Sequence, residues 1–229
     1  MNKSIAALIS ATFATVMLSN TPLMAQVVLP VGLPPGTHYQ LIFLTYDVFT
    51  TPTDGNIADY NTFVTTEADQ NSTLAGLDVQ WHAVVSTATT AANVNAPSSG
   101  LVYDTAGDEL ASPSTTLYSG TLLYPMDGYD QNGLTDGTLE DYPLFTGSTQ
   151  TGGISGYPVG GNPFHTEMGL TGLSGGAEWL DDGNHNINQT EQDAVYALSA
   201  PITVIPEPAT IGLVAIGLLG ALTIRRRNA

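Results

Sequence analysis

His38-Tyr39-Gln40-Leu41-Ile42-Phe43-Leu44-Thr45-Tyr46 is the stretch on which the fold turns. From Tyr39 to Thr45 it is rich in β-forming residues with a nearly continuous apolar centre, which reads as a buried strand. Ahead of it, residues 27–35 form a Pro/Gly-rich lead-in. Behind it, Asp54-Gly55-Asn56 breaks the chain. Residues 57–77 then place Ile57, Tyr60, Phe63, Val64 and Ala68 on one helical face, so an amphipathic helix is expected, capped by Asp54 or Asn56. Residues 78–88 give a second strand, with Val79, Trp81, Ala83 and Val85 on one side and Gln80, His82, Val84 and Ser86 on the other. Trp81 reads as core, and His82 as a hydrogen-bonded residue of the less apolar face rather than a ligand.

From Ser86 onward the chain is loop-rich. Short β-type pieces at 100–103, 116–118, 121–124 and 142–145 are separated by Gly, Asp, Asn, Ser and Pro clusters. Residues 147–161 are nearly all small and read as an exposed loop. Strand candidates at 177–180 and 194–198 enclose an Asp/Asn-rich loop. One main early helix, a mixed β-sheet and long loops describe an α+β domain.

Both ends of the chain carry an address. Residues 1–25 have one lysine, Lys3, an apolar region and a small-residue ending Leu23-Met24-Ala25, the layout of a secretory signal peptide cleaved after Ala25. Residues 204–229 contain Pro206-Glu207-Pro208, an uncharged run at 209–224 and then Arg225-Arg226-Arg227, a membrane stop. About 16 residues at 1.5 Å rise span roughly 24 Å, short of the roughly 30 Å hydrocarbon core, which suits a transient anchor better than a permanent one. This order of elements resembles the PEP-CTERM sorting signal of Gram-negative bacteria. The resemblance implies passage through the secretion machinery, transient tethering in the inner membrane by a hydrophobic helix at 209–224, and removal of the tail by an exosortase-type membrane peptidase. An ordinary C-terminal membrane anchor is the alternative that the motif and the three arginines together disfavour.

The body between these signals is residues 26–203. All four basic residues, Lys3 and Arg225 to Arg227, lie outside it, whereas every one of the 21 acidic residues except Glu207 lies within it. A body free of Lys and Arg repels nucleic-acid phosphate and attracts cations, so nucleic acid is excluded as a partner. Its stability must come from burial and hydrogen bonding, with self-repulsion screened by salt or divalent ions. With no Cys there is neither a disulfide framework nor thiolate chemistry.

Several short motifs share an order and spacing with a known domain. They are His38 to Thr45, the helix near Asp54, Trp81-His82-Ala83-Val84-Val85-Ser86, Leu101-Val102-Tyr103-Asp104, Gly107-Asp108-Glu109-Leu110, Leu117-Tyr118-Ser119-Gly120, Met126-Asp127-Gly128 and Leu144-Phe145-Thr146-Gly147-Ser148. Together they resemble the endostatin domain of collagens XV and XVIII over about residues 39–153. That resemblance implies the C-type-lectin-like fold. The endostatin disulfides, arginine-rich heparin surface and N-terminal histidine zinc site have no counterpart here. For lectin-type sugar binding, Trp179-Leu180-Asp181-Asp182 supplies half a site, but the chain's Glu-Pro pair, Glu207-Pro208, belongs to the sorting signal; Trp179 as core and Asp181-Asp182 as a solvated turn is the simpler reading.

The same loop holds the candidate metal ligands. Asp182, Asn184, Asn186, Asn188, Thr190 and Asp193 fall at positions 1, 3, 5, 7, 9 and 12 of an EF-hand-like spacing and offer the hard oxygens that calcium takes. Ile187 stands where the turn wants Gly, and an Asn/Asp-rich turn without metal is the alternative. Gly172-Leu173-Ser174-Gly175-Gly176 fits the nucleophile-elbow pattern, but His185 is the one later histidine and lies too near the acids to leave room for hydrolase strands and helices. His165-Thr166-Glu167 offers two acid/base or metal groups without a third at a telling spacing. Asn71-Ser72-Thr73 and Asn188-Gln189-Thr190 fit the glycosylation sequon. The expected function is therefore non-enzymatic: a surface or matrix protein, structural or adhesive, associated with exopolysaccharide or biofilm, with calcium as its candidate ion. An extracellular hydrolase acting on matrix polysaccharide is the alternative, since a carboxylate pair assembled by the fold leaves no local pattern.

Overall fold

The computed structural model describes residues 26–49, 55–135, 143–161, 165–172, 176, 178–183, 186–187 and 193–205. The expected signal peptide at 1–25, the alternative cap candidate Asp54, Ser174 of the elbow pattern and the residues from Pro206 onward, including the apolar run at 209–224, lie outside the described residues.

The strand expected at the start of the body is the centre of the sheet. β1 (His38–Leu44) pairs in parallel with β3 (Leu101–Asp104) and antiparallel with β8 (Tyr196–Ser199) and β9 (Ile202–Thr203). β2 (Trp81–Ala83) closes one end of the sheet on β8, and β4 (Glu109–Ala111) closes the other on β3, giving the order β2-β8-β1-β3-β4. A second sheet of three strands runs β5-β6-β7: Pro143–Phe145, Thr166–Leu170 and Asn186–Ile187. The result is a mixed α+β domain with few helices.

A continuous apolar run suits β1 because both faces are covered. Leu41 and Phe43 enter one core with Tyr60, Val64 and Ala68 of α1 (Ile57–Asp69), with Trp81, and with Ala83, Val85 and Ala197. Ile42 and Leu44 enter the other with Val102, Leu110, Leu144, Trp179, Tyr196 and Leu198. Burying each such Leu, Ile or Phe contributes about 1.5–3 kcal/mol. Gln40 is the one polar residue inside the run and is equally buried, at 1% exposure. Its amide donates to Pro97 O and Ser199 O at 3.1 and 2.7 Å and accepts from Ser99 N at 2.7 Å. It satisfies the backbone where the chain leaves β8 before rejoining the sheet as β9.

The expected helix over 57–77 is two helices. Asn71 accepts from Thr73 N and Leu74 N and caps α2 (Ser72–Ala75), so a second N-terminus starts where the first helix ends. Asn56 caps α1 by accepting from Ala58 N. Asn61, on α1, locks that helix to β2: its Oδ1 accepts from Ala83 N at 2.9 Å and from Asn95 Nδ2 at 2.8 Å, while Asn95 Nδ2 also reaches Ala83 O. Asn95 lies in a short helix, α3 (Ala92–Asn95).

Other expectations change. Val84, placed on the less apolar side of the second strand, is as fully buried as Val85, because the second core covers that side too. Residues 116–118 and 121–124 are not strands; Leu117 and Leu122 are buried in the second core without a ladder partner strand. Glu178 to Leu180 form a turn rather than a strand, and Ala177 is outside the described residues. The 147–161 loop is only partly exposed, with Ser148 and Val159 fully buried.

Candidate functional site

Without Lys or Arg, a carboxylate taken out of water here is compensated by N–H donors, by amides or by a proton. Asp104 accepts from Ala106 N and Asp108 N, both at 2.9 Å. Asp130 accepts from Asn132 N and Leu134 N at 2.7 and 2.9 Å. Glu67, only 2% exposed, accepts from Asp47 N, Gln131 Nε2 and Gln70 Nε2 at 3.1, 3.0 and 2.7 Å. Burial still pushes Glu67 up, with the Asp47 charge adding to it. These three are fold-holding groups, each tying a loop to the sheet or to α1.

The fourth case is different because carboxyls meet each other. Glu167 lies in β6, held by its backbone: its N donates to Tyr157 O at 2.8 Å, and its O accepts from Thr146 N and Gly147 N at 3.2 and 3.0 Å. The turn at 178–180 brings the following acids back beside β6, with Leu170 N donating to Glu178 O and Asp182 N to Met168 O. Gly169 lets this turn approach, since a Cβ there would strike the Trp179 carbonyl. Asp181 accepts from Gly183 N at 2.8 Å. Glu167 is half-buried, and burial first, then the charges of Asp181 and Asp182 and a hydrogen bond with Asp181, raise its carboxyl to about 7. A carboxyl raised this far keeps its proton near neutral pH, the state a general acid needs.

Of the proposed calcium ligands, Asp182 therefore stands with Glu167 and Asp181, and Asn186 pairs by its backbone with Glu167 across β6 and β7. Asp193 is buried at 6% exposure, and its carbonyl accepts from Phe49 N at 2.9 Å at an isolated bridge. Asn184, Asn188 and Thr190 lie outside the described residues. Among the described residues, no three of His, Asp and Glu are placed to hold a metal ion. The Glu167–Asp181 contact joins residues 14 apart through a turn, so no local spacing announced it; Asp181 lies in a partly exposed turn and is a partner of Glu167 as well. His165 stays exposed, with the Tyr157 ring edge-on to it at 6.1 Å. Trp179 is core as expected, stacked near Tyr118 and edge-on to Tyr196. His82 departs from expectation: its Nδ1 is buried without a hydrogen-bond partner among the described residues, and burial lowers its pKa. It faces a groove of about 450 Å³ shared with Thr62, Thr65 and Thr66, whose hydroxyls donate to carbonyls of their own helix.

The last functional feature is the exit of the C-terminal signal. Val204 N donates to Thr37 O and Val204 O accepts from Gly36 N, both at 2.9 Å, so the chain is stitched to the body until two residues before Pro206. Beside it runs a groove of about 480 Å³ walled by Leu29, Pro30, Tyr39, Leu77, Ile202 and Ile205. No helix among the described residues is long and apolar enough to cross a membrane. No curated protein matches the chain. Residues 204–227 match the PEP-CTERM protein-sorting motif, so the signal read from Pro206-Glu207-Pro208 and the three arginines is present, and it directs the protein to export and to sorting by an exosortase-type system.

Proposed function

We propose that this is a non-catalytic surface or matrix protein, held briefly at the inner membrane by the helix of its tail, released by an exosortase-type peptidase, and retained outside the cell as a structural or adhesive component of exopolysaccharide. The observation that carries the reading is the junction of a sorting motif at 204–227 with an acidic body that holds no Lys or Arg. Such a body resists non-specific capture by nucleic acid and anionic lipid, and its carboxylates attract cations. A C-type-lectin-like fold and calcium at Asp182, Asn184, Asn186, Asn188 and Asp193 belong to the same proposal. The test is co-sedimentation of the processed, exported protein with the polysaccharide of its own producing cells, in calcium and in chelator, with polymer length measured afterwards. Retention with intact polymer is expected; absence of retention refutes the adhesive role.

A second reading is favoured by one contact. Glu167, raised to about 7 by burial and by the charges of Asp181 and Asp182, keeps a proton near neutral pH, as an acid acting on a glycosidic bond would. If the polymer shortens, and Glu167→Gln abolishes the shortening without altering the fold, the hydrolase reading replaces the adhesive one.

A further inference from the structure

We infer that the groove at the exit of the sorting signal, lined by Ile205 and by Pro30 just before the exposed Val31, is a membrane-docking face that seats the folded body on the phospholipid interface while the tail is still attached. The inference rests on the sorting reading and adds to it an orientation for the body.

Three observations converge on that face. The first is distance: Ile205 lines the groove, and the uncharged run starts at Ala209. Four residues reach at most about 14 Å, so a body of this size, with a radius of gyration of about 16 Å, cannot stand clear of the surface its tail enters. The second is charge. Residues 26–46 and 194–203 contain no Asp or Glu in a body carrying 20 of the 21 acidic residues, and the one acid next in sequence to the groove's lining residues is the exposed Asp78, between Leu77 and Val79. An acidic body is pushed less from anionic headgroups on a face this poor in carboxylates, which suits that side to meeting the bilayer. The third is exposure: Ile205, which lines the groove, is 81% exposed, and Val31, which follows the lining residue Pro30, is 90% exposed. Aliphatic groups placed at the headgroup boundary gain by leaving water, and they do so without desolvating a charge.

The chain has no cysteine, so single reporters can be introduced cleanly. The unprocessed protein carrying its tail would be prepared as Val31→Cys, Ile205→Cys and Tyr46→Cys, each labelled with an environment-sensitive fluorophore. Each would be reconstituted in phosphatidylcholine vesicles containing headgroup-nitroxide lipid. Tyr46 is 71% exposed and follows the far end of β1, about 23 Å from the groove. The expected result is several-fold stronger quenching at 31 and 205 than at 46, with blue-shifted emission at 31. Quenching at 205 with position 31 behaving like 46 would overturn the docking face and leave the membrane tail standing. If 205 is unquenched as well, the tail does not insert and the sorting reading falls with the proposal. If 31 is shielded only when the peptidase is reconstituted too, the face binds protein and the lipid proposal is wrong.

Discussion

Asp104 ends β3 with a carboxyl that is 3% exposed: Oδ1 takes two backbone N–H bonds, and Oδ2 is buried without a partner among the described residues. Burial is the largest influence and outweighs those donors, raising the group from 3.8 to about 6, with the Asp108 charge pushing the same way. A folded-state pKa above the unfolded one means that the native state binds the extra proton. The associated stability is therefore present below pH 3.8 and lost as pH climbs through about 6. A shift of this size corresponds to about 3 kcal/mol, which residual solvent screening and relaxation reduce to roughly 1–2 kcal/mol. Asp104→Asn retains an oxygen for Ala106 N and Asp108 N and removes the charge, at the cost of one poorly placed amide donor. The variant is expected to be more stable than the wild type at pH 8, by about 1–2 kcal/mol or roughly 3–6 °C in Tm. It should have no advantage at pH 4, where Asp104 is neutral. Thermal unfolding by circular dichroism from pH 4 to 8, in chelator, reads this directly. A variant less stable than the wild type at pH 8 would refute the argument, because it would mean the ionised carboxylate is stabilised in the native protein.

Glu167→Gln should likewise flatten the pH dependence of stability between about 4.5 and 7, where the wild type loses stability as its raised carboxyl ionises; a carboxyl carbon resonance titrating at the ordinary 4.5 would show that the pair with Asp181 is not formed. Asn61→Ala orphans Ala83 N–H and severs both amide bonds to Asn95, so a loss of about 2 kcal/mol is expected in denaturant unfolding. Gly169→Ala forces a Cβ against the Trp179 backbone and should cost about 3 kcal/mol or more, whereas Gly156→Ala, with nothing within 4 Å, should change stability by less than about 0.5 kcal/mol.

Legibility in the sequence followed the range of the interactions. The apolar run of β1, the periodic face of α1 and the Asn56 cap depend on neighbours within a few residues, and they are where they were expected. The split at Asn71 is equally local, since an N-cap side chain can start a new helix in competition with the old one, but a sustained apolar period masked it. The strand assignments at 116–118 and 121–124 failed because a short β-type segment becomes a strand only when an edge is free to pair with it. Leu117 and Leu122 instead fill a core.

By itself the sequence determined the address and the electrostatic character: a sorting signal is read as a linear peptide, and the absence of Lys and Arg from the body is a matter of composition. It also determined that β1 is interior, because no other environment suits an apolar run of that density. Only the tertiary structure decided which acids meet. Glu167, Asp181 and Asp182 come together because Gly169 admits the 178–180 turn, and Pro30 and Ile205 line one groove beside β9, which returns to the first residues of β1. Contacts of that kind depend on where the backbone closes in space, and burial then sets the proton affinity of a carboxyl whose sequence neighbours give no sign of it.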